Sequence, residues 1–342
     1  PILNQWPESY FISPAKFISN GLDIFILNFG TQIDYLKQVA FFFIMLPVKI
    51  GLQLSVSHYT WGFELTPFLI TAYFIIMILF SSWCFLKFSK NVAIGIILFS
   101  IFIYFGLTNM PWLPLIFIYG LIGYRIGGFK LSLTIIASFM FITFTGVLPQ
   151  ALLSIYLCGI AVIISFILGA SLGIWAAHND KVSAFMRPIN DTMQTMPSFV
   201  ILIPFVMFFG IGEFTALLAI IAYAFVPAMR YTEHGLRNLP ETVIEAARMI
   251  GCSQAQLLWK VKIPLAMPVI MLGLNQTIMF GLAMLVIAAL VGTTGLGQLI
   301  YIGLSKADFG TGMISGVSIA LIAIIFDRTT QAWRIKLEKK TQ

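Results

Sequence analysis

No charged side chain occurs between Lys130 and Asp180, and none between Lys262 and Lys306. Uncharged stretches this long leave few places for the chain to fold. Only 10% of residues are Asp, Glu, Lys or Arg and 59% are apolar, with a mean hydropathy of +0.96. Soluble domains carry about a quarter charged residues. One aqueous core could not hide so much apolar surface, whereas lipid accepts it provided that every backbone polar group is paired inside a helix or barrel. The runs are long and not alternating, so helices are expected, each needing about 20 residues to cross about 30 Å of hydrocarbon.

Nine spans are read at residues 65–86, 91–108, 111–126, 131–147, 150–177, 197–212, 214–231, 264–291 and 312–327. The run at 111–126 is short for a crossing. Counted this way, the links with Lys87 and Lys90, Arg125 and Lys130, and Lys181 and Arg187 fall on one side. So do Arg230, Arg237, Arg248, Lys260 and Lys262, and the tail with Arg328, Arg334, Lys336, Lys339 and Lys340. The alternate links hold only Lys306. Basic loops stay cytoplasmic, which places the C-terminus in the cytoplasm. The formal charge of +7 is therefore a topology signal, and a nucleic-acid partner is not expected.

Residues 1–60 form an N-terminal amphipathic, interfacial segment in which 39–56, with Pro47 and Lys49, fits either a span or a surface helix. The start shows no basic region followed by an apolar signal core. Residues 61–148 add further transmembrane helices, 149–331 carry the distinctive motifs, and 332–342 form a basic tail.

Several chemistries lack their residues. Cys84, Cys158 and Cys252 are not at metal-ligand spacing, and His58, His178 and His234 are isolated. No Gly-x-x-x-x-Gly-Lys-Ser/Thr loop is present, so no nucleotide site of that kind is expected on this chain. The spans have almost no ionisable residues at mid-depth, unlike ion-coupled carriers. Neither an enzyme nor a cofactor is expected. An ion-coupled secondary carrier remains the rival of a different class.

The longest polar link, 230–263, reads as a compact helix–turn–helix. Pro240 suits a first turn and Glu241 meets the positive helix end. Val243, Ala246, Ala247 and Ile250 share one apolar face. Gly251 suits the left-handed helix stop, Ser253 and Gln256 make a capping box, and Pro264 opens the next span. Such a face fits either a docked partner or a lipid surface. Mid-span polar residues Asn275, Gln276 and Thr277, with Gln194 and Thr195 at a span entrance, fit either a translocation path or hydrogen bonds between helices.

Glu245-Ala246-Ala247, Gly251 and Ile263-Pro264 resemble the EAA motif of ATP-binding-cassette (ABC) importer permeases, with Val261 and Ile263 as mild departures at its Ile and Leu positions. Asp191 to Val200, Phe209 to Gly212, Leu265 to Pro268, Asn275 to Thr277, Gly295 to Gln298 and Asp327-Arg328 resemble the proline/glycine betaine branch. The resemblance covers about residues 149–331. It implies an all-α, polytopic transmembrane helical bundle, the type I ABC importer (MetI-like) transmembrane domain, in a bacterial inner membrane. It implies that residues of about 240–256 form a coupling helix docked on an ATPase. The partners implied are a second copy of the chain, two copies of an ABC ATP-binding subunit carrying ATP and Mg, and a periplasmic substrate-binding protein. Gly295, Gly297, Gln298 and Asp308 become candidate contacts for that binding protein. The cargo implied is glycine betaine or proline betaine, with choline, carnitine, trimethylamine N-oxide and taurine-like compounds as alternatives. The aromatic cage for such a cation is expected on the binding protein.

Overall fold

The computed structural model describes residues 14–55, 64–87 and 90–341. His58 and the first and last residues of the chain lie outside the described residues. All regular structure among those described is helical. The elements are α1 (Pro14–Ala40), α2 (Pro67–Lys87), α3 (Lys90–Phe105), α4 (Trp112–Phe144), α5 (Leu148–His178), α6 (Asp180–Thr195) and α7 (Ser198–Phe209). They continue with α8 (Glu213–Arg237), α9 (Glu241–Met249), α10 (Gln254–Val291), α11 (Leu296–Ser305) and α12 (Phe309–Thr341).

Three helices form the centre. Of the apolar windows of α5, α8 and α10, 61%, 56% and 56% are buried, against 11% for α2. Small residues allow this closeness. A Cβ on Gly169 would lie 2.6 Å from Ala228 Cβ, and one on Gly173 2.6 Å from the Met229 carbonyl oxygen. The Gly-x-x-x-Gly spacing on α5 thus brings its backbone against α8.

Six described helices have the length and apolar character to cross a membrane, counting α4 as one although it is broken at Gly128, and α6 with α7 form a further pair bent by 104°. This corrects the expectation of a whole span at 197–212. The helix there has 12 residues, about 18 Å at 1.5 Å per residue, and is half of a broken element. Met196 is extended before Pro197, and Gly210 (φ 70°) ends the helix.

The runs at 111–126 and 131–147 are the arms of α4, which folds back at Gly128 (φ 77°, ψ −166°). Ser132 Oγ donates to the Gly120 carbonyl at 2.8 Å, and the Tyr119 and Phe139 rings stack at 5.1 Å. Each arm is about 24 Å long, short of the hydrocarbon thickness.

Two other boundaries move. Pro264 sits in the first turn of the α-helix Ile263–Ala288, as expected, but that helix is continuous with the preceding pieces from Gln254. A wide turn, Leu257–Lys262, precedes it and absorbs the carbonyl that proline cannot pair. Beyond the span read at 312–327 the helix does not end: α12 continues to Thr341.

The basic links gather at one end. Lys336 Nζ donates to the Arg125 carbonyl, Lys262 Nζ lies 3.5 Å from His178 Nε2, and Arg237 Nη2 donates to the Ala176 carbonyl at 2.6 Å.

Candidate functional site

At this basic end α8 runs through Asn238 and Leu239 into Pro240, which caps α9 with extended geometry (ψ 125°). The helix thus starts one position later than the sequence predicts, with Pro240 as its cap instead of in its first turn. Ala247 is buried and anchors the helix, while Glu245 and Ala246 are exposed. Met249 and Ile250 are 88% and 83% exposed, so the helix ends in an apolar tip facing outward. Gly251 follows at φ 85° with nothing within 4 Å of where a Cβ would sit. The capping box forms in full: Ser253 N donates to Gln256 Oε1 at 2.9 Å and Gln256 N to Ser253 Oγ at 3.3 Å. Both ends of the turn are therefore fixed by short-range bonds, which set the direction in which α9 hands over to α10.

Beside it, α6 is tied to α8 at two levels. Ser183 Oγ donates to Glu233 Oε1 at 2.6 Å, and Glu233 also accepts from Arg237 Nε at 3.0 Å. Arg237 Nη1 lies 2.8 Å from Asp180 Oδ1. Nearer the α6–α7 elbow, Arg230 donates to Gln194 Oε1 at 2.5 Å and pairs with Asp191. Asp191, Gln194, Arg230, Glu233 and Arg237 border a cavity of about 640 Å³ with Arg187, Tyr231, His234 and Asn238. Exposed ion pairs of this kind stabilise little, about 0–1 kcal/mol each, but they fix which part of α6 follows α8.

The expected path residues are not all brought to this cavity. Gln194 lines it, and Thr195 bonds back to the Asp191 carbonyl at 2.9 Å. Asn275 instead joins α10 to α12, donating to Asp327 Oδ1 and accepting from Thr330 Oγ1, both at 2.8 Å. Thr277 is fully buried and donates to the Gly273 carbonyl at 2.8 Å; Gln276 is half-buried. Sequence reading missed the ties of α6 to α8. The i,i+4 spacing of Glu233 and Arg237 was a signal only for their pairing within α8; the ties of Ser183, Asp180 and Asp191 to them and to Arg230 needed the fold.

At the other end, Gly295 (φ 124°) lets the chain pass close to α5, and Leu296 N donates to Ser154 Oγ at 2.8 Å. Gly297 is buried and Gln298 half-buried. Asp308 is exposed and accepts from Thr311 Oγ1 at 2.7 Å and Thr311 N at 3.2 Å. These bonds, the hydroxyl first, lower its pKa below the usual aspartate value. In the described residues no group of three His, Cys, Asp or Glu could hold a metal ion.

Residues 169–334 match the family described as binding-protein-dependent transport system inner membrane component. The glycine betaine transport system permease protein OpuAB of Bacillus subtilis (strain 168) is 37% identical over 255 residues, which cover 75% of this chain and 90% of that relative. The chain belongs to this family. It is a multi-pass inner-membrane protein with an all-helical membrane domain. The glycine betaine/proline betaine transport system permease protein ProW of Escherichia coli (strain K12) is 40% identical over 66% of this chain and 64% of its own length. The trimethylamine N-oxide transport system permease protein TmoV of Pelagibacter ubique (strain HTCC1062) is 43% identical over 64% of this chain but only 30% of its own length. The chain thus spans less than two thirds of these two relatives.

Proposed function

We propose that this chain is the membrane-spanning subunit of an ATP-driven importer for glycine betaine, proline betaine and similar small zwitterions. The observation that carries the proposal is the α9 unit: a short helix closed at its C-terminal end by Gly251 and the Ser253–Gln256 capping box that follows, with Met249 and Ile250 exposed at its tip. An apolar tip rimmed by Glu245 and Arg248 suits a groove on a second protein. That protein is a separate ATPase, present in two copies, each seated on one of two copies of this chain. ATP and Mg belong to it.

The basic end is then cytoplasmic, as is the C-terminus, and the opposite end is periplasmic and receives cargo from a binding protein. Residues Gly295, Gly297, Gln298 and Asp308 form part of that receiving surface. When the ATPases close, α9 moves with them. Arg230, Glu233 and Arg237 lie on α8 just before α9, so α6 and its elbow are drawn along. The half-helix α7 then shifts at Pro197 and Gly210, and access alternates. Nucleotide drives this step only through its unequal affinity for the two states. Gln194, Thr195, Asn275, Gln276 and Thr277 are the candidate path; of these, Gln194 lines the cavity.

The similarity to a trimethylamine N-oxide permease protein favours that compound as the second cargo. The test is uptake of labelled glycine betaine and trimethylamine N-oxide into vesicles holding the chain with its companion ATPase and binding protein. Uptake that requires ATP and is competed by betaine supports the proposal. Uptake that persists without ATP contradicts it and favours an ion-coupled carrier.

A further inference from the structure

The sequence before α2 lies outside the matched family region, yet it supplies a charge to the bundle. Lys49 Nζ lies 2.6 Å from Glu213 Oε1, and the two side chains are only 20% and 18% exposed. Glu213 collects two more donors: Thr294 Oγ1 at 3.0 Å and the Tyr156 hydroxyl at 3.3 Å. Lys49 also sits 5.8 Å above the Tyr156 ring, within cation–π range. One carboxylate thus joins four parts of the chain: the N-terminal segment, α5, the start of α8 and the loop before α11.

The place matters as much as the pairing. Glu213 follows directly on Gly210 (φ 70°) and Gly212 (φ 155°), the link by which the broken element α6–α7 enters α8. Gly212 N donates to the Val291 carbonyl at 3.1 Å, so this link is clipped to the end of α10. Lys49 is itself held firmly, since its carbonyl accepts from Thr108 N at 3.2 Å and Leu107 N donates to the Val48 carbonyl at 2.8 Å. The polar cavity lies between α6 and α8 near α9, while at this end the 210–213 link and the 291–294 loop are in contact, with Thr293 only 1% exposed.

We propose that Lys49 and Glu213 are the positioning residues of a latch that holds the end remote from α9 shut, so that the N-terminal segment sets how readily the transporter opens there. That this end faces the periplasm rests on the function proposed above; the latch itself does not. With Lys49 removed, Glu213 loses its only charged donor recorded in the described residues, and the closed state loses stability relative to the open one. A partly buried charge left unpaired is costly, so the equilibrium moves toward opening.

The test uses the full chain in proteoliposomes with Thr293→Cys as a reporter and a membrane-impermeant maleimide as probe. Labelling is expected to be slow with Lys49 present and about tenfold faster with Lys49→Met, a shift of ordinary size for a two-state equilibrium. Lys49→Arg should stay slow, and Lys49→Glu combined with Glu213→Lys should restore slow labelling. Should Lys49→Met fail to accumulate, Tyr156→Phe removes one donor only, and a rise of about twofold is expected. Equal rates in all variants that fold would overturn the latch. The labelling needs no ATPase. Fast labelling in Lys49→Met together with ATP-independent uptake would leave the latch standing and sink the transport reading, while unchanged labelling with ATP-driven uptake would do the reverse.

Discussion

Gly251 and Gly295 both sit in backbone conformations that favour glycine, at φ 85° and 124°, but their surroundings are opposite. A Cβ on Gly251 would find nothing within 4 Å, whereas one on Gly295 would fall 2.6 Å from Ser154 Oγ. The α9 end is built by local rules: a cap, a glycine stop and a capping box within a few residues. The end holding Gly295 is built by long-range contact, with Leu296 bonded to Ser154 and Glu213 reached by Lys49, Tyr156 and Thr294. A surface meant to seat another protein must hold its shape without help from the rest of the bundle. A surface meant to open and close is instead made of contacts that part.

Substitutions can break this contrast. Gly251→Arg has the largest expected effect. Open space accommodates the side chain, and the backbone strain costs about 1–2 kcal/mol, so membrane insertion and yield should persist. Uptake should nevertheless fall by about a hundredfold, because a bulky cation enters the docking surface; near-normal uptake would show that nothing seats there. Gly295→Ala should act the other way. Its methyl collides with Ser154, a cost of about 1–3 kcal/mol, so thermal stability and yield should drop together with uptake. A stable protein with lost uptake would instead make Gly295 a contact site.

Asn275→Leu comes next. It strands Asp327 against Gln331 alone and leaves Thr330 without its cross-helix acceptor, at about 1–3 kcal/mol. Uptake falling further than thermal stability would mark Asn275 as part of the path, and loss of assembly would mark it as a tie between α10 and α12. Ser253→Ala is the smallest change. Loss of the cap should cost about 1 kcal/mol, read as a modest fall in uptake with intact assembly; an unchanged ratio of uptake to ATP consumed would show that α9 does not need a rigid mount.

The same contrast sorts what the sequence revealed. Ser253, Gln256 and Gly251 were legible because caps and stops act over three or four residues. The small-residue packing of α5 on α8 was latent in the Gly169 and Gly173 spacing. The 104° bend between α6 and α7 was not read, since a proline at 197 marks a helix boundary without giving the angle. Pro264 was rightly read as the start of an α-helix, whereas the wide turn Leu257–Lys262 that joins it to the residues before was not legible. Lys49 with Glu213, separated by 164 positions, leaves no local trace; only the fold brings them together.

The claim on which the mechanism depends is that another protein covers the tip of α9. It is tested most directly by placing a cysteine at Ile250, 83% exposed in the chain alone, and measuring its alkylation with and without the companion ATPase bound. Strong protection by the ATPase is the expected result. Alkylation at the same rate in the assembled complex would contradict it.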